Sequence, residues 1–326
     1  MNITFNDPAL EAAVREGLDR VEDQLRTAVA SEHPVIADAA RHLVDAGGKR
    51  FRPLLVLLGA QFGDPSAWEV TQSAVVVELT HLATLYHDDV MDEASVRRGA
   101  PSANQRWTNT IAILTGDYLF SRASDLVADL GPDALRLQAR TFSRLVTGQI
   151  SETVGPPDGV DPVDHYLRVL SEKTGSLIAT SGRFGALFGG APGPVVEGMA
   201  RFGETMGVAF QLSDDLLDIS SEASESGKTP GTDLREGVPT LPVLHALAST
   251  DPAESRLRML LAKPLTDDAE HAEALALLRR SPAMTSARAT LDSYAARARG
   301  VLADLPAVPA REALTALVDF VLARTG

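Results

Sequence analysis

The sequence predicts an all-α protein, on three observations. Apolar residues recur at i, i+3, i+4 and i+7 along nearly the whole chain. Glycine- and proline-containing breakers separate these periodic stretches. Period-two alternation bounded by hairpin turns is absent. No low-complexity linker divides the 326 residues, so residues 1–326 read as a single domain.

The elements follow in order. Helices are predicted over 8–30 and 34–46, the second stopped by Gly47-Gly48. Helices over 52–62 and 66–93 flank the turn Gly63-Asp64-Pro65. The helix over 108–129 stops at Gly131-Pro132, and 132–153 stops at Gly155-Pro156-Pro157. Helices over 161–190 and 193–220 meet at the breaker from Gly190 to Pro194. Predicted helices over 232–249, 252–262, 267–279, 282–303 and 309–324 complete the chain, the last two split by Pro306 to Pro309. The longest irregular stretch is 220–231, SSEASESGKTPG. A polar loop of that length inside a helical domain reads as a lid.

Composition narrows the class. Hydrophobic residues make up 44% of the chain, enough for a large core. Net charge is −14, which excludes a nucleic-acid binder and a polybasic membrane-surface protein. With no cysteine there is no disulfide framework, thiolate metal site or cysteine nucleophile. The N-terminus lacks a signal-peptide pattern, and no run of about 18 apolar residues occurs. The expectation is a cytoplasmic protein without stable membrane insertion.

Two acidic triplets carry the chemistry. Asp88, Asp89 and Asp92 end one apolar helix; Asp214, Asp215 and Asp218 end another with identical spacing. Positions four apart share a helix face, so the carboxylates crowd together. The helix C-terminus is also the unfavourable end of the dipole for negative charge. Such crowding is relieved by hard divalent cations, and Mg²⁺ takes oxygen ligands with phosphate co-ligands. Four basic islands answer the acids: Gly47-Gly48-Lys49-Arg50-Phe51-Arg52, Arg97-Arg98, Lys173-Thr174-Gly175 and Gly227-Lys228. Only four of the 30 basic residues are lysine, and three of these lie in the islands. Arginine offers a planar fork to phosphate oxygens and lysine a compact charge. The joint pattern describes a site for more than one polyanion, held through metal or by direct cations. Arg50 reads as a solvated residue beside it.

From about Gly47 to Leu241 these motifs resemble the trans-isoprenyl diphosphate synthases, the polyprenyl synthetase family. GGKRFRP, HDDVMDEASVRRG, FQLSDDLLD and GKTPGTDLREG stand in the family's order and spacing, most like the long-chain synthases of high-GC bacteria. The resemblance implies the isoprenoid synthase fold, with helices around a central apolar cavity. It implies condensation of isopentenyl diphosphate with an allylic diphosphate, Mg²⁺ dependence and a homodimer. Asp88, Asp89, Asp92, Asp214, Asp215 and Asp218 would bind Mg²⁺. Arg97, Lys173 and Lys228 would hold the allylic diphosphate, and Lys49, Arg52, His81 and Arg98 isopentenyl diphosphate without metal. Thr174 and Gln211 would lie near the reacting carbons; Phe210 lies there too or packs in the core. Many members have a further lysine where this chain has Val238, and Arg235 is the candidate to compensate.

Stepping back from Asp88 along its helix face gives Thr84, Thr80 or His81, and Val77, with Ala83 beside them. In short-chain members a large aromatic residue before the first motif acts as a floor. Ala83 and Thr84 are small, which implies a long product, in the hexaprenyl to decaprenyl range, rather than a farnesyl or geranylgeranyl chain. Tyr86 is expected to modify the wall. A class I terpene cyclase would not need GGKRFRP, and a non-catalytic subunit usually loses one acidic motif; both are disfavoured. Ala83→Phe or Thr84→Phe is expected to shorten the product. Unchanged chain length by product chromatography would refute that assignment.

Overall fold

The computed structural model describes residues 5–221 and 230–324. It is helical nearly throughout. The order opens with α1 (Pro8–Ala28), α2 (Pro34–Asp45), α3 (Phe51–Ala60) and α4 (Trp68–Met91). Next come β1 (Val96–Arg97), β2 (Ala100–Pro101), α5 (Ala103–Arg106), α6 (Asn109–Asp129), α7 (Pro132–Val154) and α8 (Pro162–Leu170). A π-helical turn, Ser171–Gly175, leads into α9 (Ser176–Phe188) and α10 (Gly193–Ser220). Then follow α11 (Thr232–Glu236), α12 (Leu241–Ala248), α13 (Ser255–Leu261), α14 (Asp268–Leu278), α15 (Pro282–Ala303) and α16 (Pro309–Ala323).

Three features depart from expectation. A small antiparallel hairpin pairs Val96 with Pro101 and Arg97 with Ala100. Its two-residue turn, Arg98-Gly99, has positive φ at both positions, 54° and 77°, as a hairpin turn of matching twist requires. Strands of two residues are too short to show alternation. The helix expected over 161–190 is interrupted by the π turn. The helix expected over 232–249 breaks at Gly237 (φ 75°), two residues before Pro239.

The described residues form two compact units. One comprises the chain up to Arg144, Ser176–Gly203 and Asp304–Leu314. Its axis is α4, against which α1, α3, α6 and α9 pack. Val70, Ala74, Val75, Val76, Val77, Leu79 and Leu82 are all buried, so α4 is apolar on every side. α9 comes unusually close to α3: a Cβ on Gly185 would lie 2.1 Å from the Val56 carbonyl oxygen. The two backbones touch there, and only glycine fits.

The other unit comprises Leu145–Gly175, Glu204–Ala303 and the chain from Thr315. Here Ser213 Oγ donates to the Val321 carbonyl at 3.0 Å, tying α10 to α16. Arg279 Nε and Nη2 donate to the Ile219 and Ser221 carbonyls, each at 2.7 Å. The guanidinium thus satisfies carbonyls that the end of α10 leaves unpaired, and it opposes the negative end of the dipole.

Gly185→Ala is expected to destabilise by about 2 kcal/mol or more in denaturant melts, through overpacking. Gly300→Ala, on α15 where nothing lies within 4 Å, is expected to be neutral or stabilising by up to ~1 kcal/mol. Equal effects would contradict the α3–α9 contact.

Candidate active site

The first acidic motif closes α4. Asp92 caps the helix, its N–H donating to the Asp88 carbonyl at 2.8 Å, so the two residues sit one turn apart. Asp89 is fully buried. Its Oδ1 accepts from Arg97 Nε at 2.6 Å, and its Oδ2 is buried without a protein partner. The hairpin is what returns Arg97 to the helix end. Its base is tied to α2: His42 Nε2 bonds the Pro101 carbonyl at 2.8 Å, and Arg106 Nη1 lies 3.0 Å from His42 Nδ1.

About three turns back along α4 lies a cationic cluster. Its centre is a carboxylate, Glu78, only 1% exposed. Glu78 Oε1 accepts from Arg50 Nη1 at 2.9 Å and lies 3.6 Å from Arg98 Nη2. Arg50 also donates to Glu22 through Nε and Nη2 and to the Val44 carbonyl at 3.0 Å. It starts α3 with φ 47°, in the left-handed region. Arg50 is therefore a buried structural cation and not the solvated residue expected. Burial lowers its pKa, but the two glutamates outweigh this and raise it overall.

Arg98 runs under the glycine loop. Its Nη1 donates to the Leu43 carbonyl at 2.8 Å and to the Gly47 carbonyl. Gly48 has φ 152°, which L side chains rarely adopt, and a Cβ there would lie 2.9 Å from the Arg98 guanidinium carbon and displace it. Lys49 is exposed on that loop. Arg52 follows it, with its Nε buried without a partner and its pKa lowered to about 10 by burial. His81 lies on α4 among these groups. Burial, then Arg52, Arg98, Arg97 and Arg50, hold its imidazole well below the usual 6.5, so it is neutral.

The second acidic motif closes α10, in the other unit. Asp214 Oδ1 lies 2.5 Å from Arg324 Nη2. Asp215 accepts from the Tyr166 hydroxyl and, at 2.9 Å, from Gln211 Nε2. Asp218 accepts from the Thr232 and Asp233 N–H groups, each at 3.2 Å. Burial, opposed by Tyr166 and Gln211 and aided by Asp214 and Asp218, pushes Asp215 up to about 6. Burial, with Asp218 and Asp215 next, pushes Asp233 up to about 7. This end of α10 holds more negative charge than its own cations neutralise. Lys173 and Thr174 sit in the π turn, with Lys173 Nζ 2.5 Å from Glu152 Oε2. The Arg324 guanidinium stacks over Phe210 at 5.1 Å. Lys228 lies outside the described residues, as does most of the stretch read as a lid.

Residues 33–278 match the family profile described as Polyprenyl synthetase. The chain belongs to the polyprenyl synthetase family. Over 325 residues it is 55% identical to a nonaprenyl diphosphate synthase of Mycobacterium tuberculosis, covering 99% of this chain and 97% of that protein. It is 46% identical to a dimethylallyltranstransferase of the same organism, over 97% of each chain. Among solved structures it resembles the geranylgeranyl pyrophosphate synthase of Corynebacterium glutamicum complexed with calcium and isoprenyl diphosphate. That match has a TM-score of 0.91 and 46% identity, over 99% of this chain and 100% of the other. A decaprenyl diphosphate synthase of Rhodobacter capsulatus matches with a TM-score of 0.89 and 35% identity, over 98% and 99%.

The donors of this synthetase suit a hard divalent cation. They are carboxylate oxygens: in the first unit one oxygen of Asp89 is buried without a partner, and in the other unit burial holds the Asp215 proton abnormally tightly. Among the described residues no three carboxylate or imidazole groups converge into a ready-made metal cage. Ligand oxygens would complete the coordination sphere, as Mg²⁺ commonly requires.

The proposed chain-length residues Val77, Thr80, Ala83 and Thr84 are all buried on α4. Thr80 Oγ1 accepts from Gln138 Nε2 of α7 at 3.3 Å. The Ala83 carbonyl lies 3.0 Å from where a Cβ on Gly116 of α6 would stand. Tyr86 points elsewhere: its hydroxyl donates to the Ala39 carbonyl and accepts from the Leu43 N–H at 3.3 Å. It anchors α2 and does not modify the wall as expected. Arg235 is also engaged away from the acids, donating to Asp268 at 2.8 Å, so it does not stand in for the lysine missing at Val238. An open groove lined by Asp38, Arg41, His42, Asp45, Pro101 and Arg106 contains none of the predicted site residues.

Sequence reasoning missed Glu22, Glu78, Glu152, Tyr166 and Arg324. Glu78 had a signal: a lone carboxylate in the apolar run Val75 to Leu79 must be buried and paired.

His81 is expected to remain neutral at pH 6.0 in ¹⁵N-detected imidazole spectra. Binding of inorganic pyrophosphate should raise its pKa, because an added anion favours the charged form. A protonated imidazole at pH 6.0 without ligand would contradict the cluster's net positive field.

Proposed function

We propose that this chain is a trans-prenyltransferase that condenses isopentenyl diphosphate with an allylic diphosphate to give a long all-trans polyprenyl diphosphate. The observation that carries this is the layout of one helix face. Carboxylates at 88 and 92 stand about two and three turns from a neutral imidazole at 81 that lies within a cluster of arginines. One end of that face suits a diphosphate held through metal, and the other suits a diphosphate held by cations alone. The long product follows the nonaprenyl and decaprenyl synthases among its relatives and the small residues Ala83 and Thr84.

In this reading Asp88, Asp89 and Asp92 hold Mg²⁺ for the allylic diphosphate, and Asp214, Asp215 and Asp218 hold Mg²⁺ as well. Bound Mg²⁺ would supply Lewis-acid stabilisation of the departing diphosphate. Lys173 and Lys228 add positive charge where the leaving group develops its negative charge. Arg97, once freed from Asp89, would add a fork of donors. Lys49, Arg52, Arg98 and neutral His81 orient isopentenyl diphosphate so that its double bond faces the allylic carbon. Attack forms the new carbon–carbon bond, and a proton leaves the adjacent carbon to the released diphosphate. Apolar walls from Val77, Thr80, Ala83 and Thr84 exclude water from the cation and receive the growing chain.

We further propose that both units act as one polyprenyl synthetase domain, in a cytoplasmic homodimer. Exposed apolar residues support a partner: Ile113 and Leu114 on α6, and Val146, Ile150 and Val154 on α7. Among the described residues no helix is long and apolar enough to cross a membrane.

The test is incorporation of labelled isopentenyl diphosphate with Mg²⁺ and a panel of allylic primers, with product length read by chromatography. Long all-trans products are expected, and Asp88→Asn should lower kcat/KM by roughly 100-fold or more, the scale of losing preorganised charge stabilisation. No incorporation with any primer would overturn the reading.

A further inference from the structure

We propose that Glu78 is a positioning residue for the metal-free diphosphate subsite, holding Arg98 and the loop that presents Lys49 in their binding geometry. The inference rests on the prenyltransferase reading and deepens it.

Glu78 touches no substrate in this scheme; it acts through two arginines. Its Oε1 accepts from Arg50 Nη1 at 2.9 Å and pairs electrostatically with Arg98 Nη2 at 3.6 Å. Arg50 and Arg98 then bracket the glycine loop. Arg50 Nη2 holds the Val44 carbonyl on its near side, and Arg98 Nη1 holds the Leu43 and Gly47 carbonyls. Gly47, Gly48 and Arg50 all have positive φ, at 76°, 152° and 47°. The glycines adopt such backbone at little cost, but Arg50 is a non-glycine in the left-handed region, which persists where surrounding contacts impose it. The contacts that hold Arg50 there include the buried Glu78 carboxylate. Lys49 stands between these fixed points, and Arg52 lies one turn further on with Glu78 as its main favourable charge.

Charge and position make opposite predictions. If Glu78 merely subtracted positive charge from the pocket, neutralising it would tighten diphosphate binding. If it holds Arg98 and the loop in place, neutralising it weakens binding at this subsite alone. Two guanidiniums then lose their common anchor, and the loop loses its imposed conformation.

The experiment is Glu78→Gln, with each substrate varied at saturating levels of the other. The KM for isopentenyl diphosphate should rise about tenfold, the KM for the allylic diphosphate should stay within about twofold, and kcat should change by less than about threefold. Calorimetry with inorganic pyrophosphate in EDTA should show a matching loss of affinity. An isopentenyl KM that is unchanged or lower, or both KM values rising together, overturns the proposal. If Glu78→Gln does not fold, Glu22→Gln serves: Glu22 is partly exposed and grips the same Arg50. A selective rise in the isopentenyl KM is then expected, and no change overturns it. If the unmodified protein incorporates no isopentenyl unit, the prenyltransferase reading fails, and the pyrophosphate calorimetry decides the positioning role by itself.

Discussion

A carboxylate buried in the middle of an apolar helix must be neutralised, and much of the first unit is arranged to do so. Left unpaired, Glu78 would cost several kcal/mol or would take up a proton. Arg50 reaches it while entering α3 from a left-handed conformation, after a glycine pair that also takes positive φ. Arg98 comes near it only because the hairpin turn places that residue under the same loop. The hairpin in turn sends Arg97 to Asp89 at the end of α4. One buried charge thus links α1, α3, α4 and the hairpin, and it sits at the centre of the cationic cluster.

The second unit meets the same problem with weaker means. Its three motif carboxylates find a guanidinium, a phenol, an amide and two backbone N–H groups. Only one of those partners carries positive charge. Burial first, and neighbouring carboxylates after it, make Asp215 and the adjoining Asp233 hold their protons well above the usual carboxylate range. A divalent cation relieves that crowding far more effectively than hydrogen bonds to neutral groups. The first motif is deficient in a different way, with one oxygen of Asp89 buried and unmatched.

Helix positions were legible because burial imposes a strong period of 3.6 and because glycine and proline mark the ends. α6 and α10 lie within a residue of expectation for this reason. The breaks were less legible. Ser171–Gly175 is a polar stretch between apolar residues at 169–170 and 177–178, so a change from α to π hydrogen bonding leaves no trace in the apolar periodicity. The motif residues of the site were readable from spacing. Their partners were not, because Tyr166, Glu152 and Arg324 are distant in sequence and meet the motifs only through tertiary packing. Arg50 and Tyr86 show the same limit: adjacency to a motif suggested solvent or wall, while each turns away to bind a carboxylate or a carbonyl.

The proposed function requires one chain to keep two kinds of diphosphate subsite, one cationic and one metal-dependent. Equilibrium binding of labelled isopentenyl diphosphate and of an unreactive allylic diphosphate analogue, each in EDTA and in Mg²⁺, tests this most directly. The account predicts that isopentenyl diphosphate binds with similar affinity in both conditions and that the allylic analogue binds only with Mg²⁺. Metal dependence for both ligands, or for neither, would contradict it.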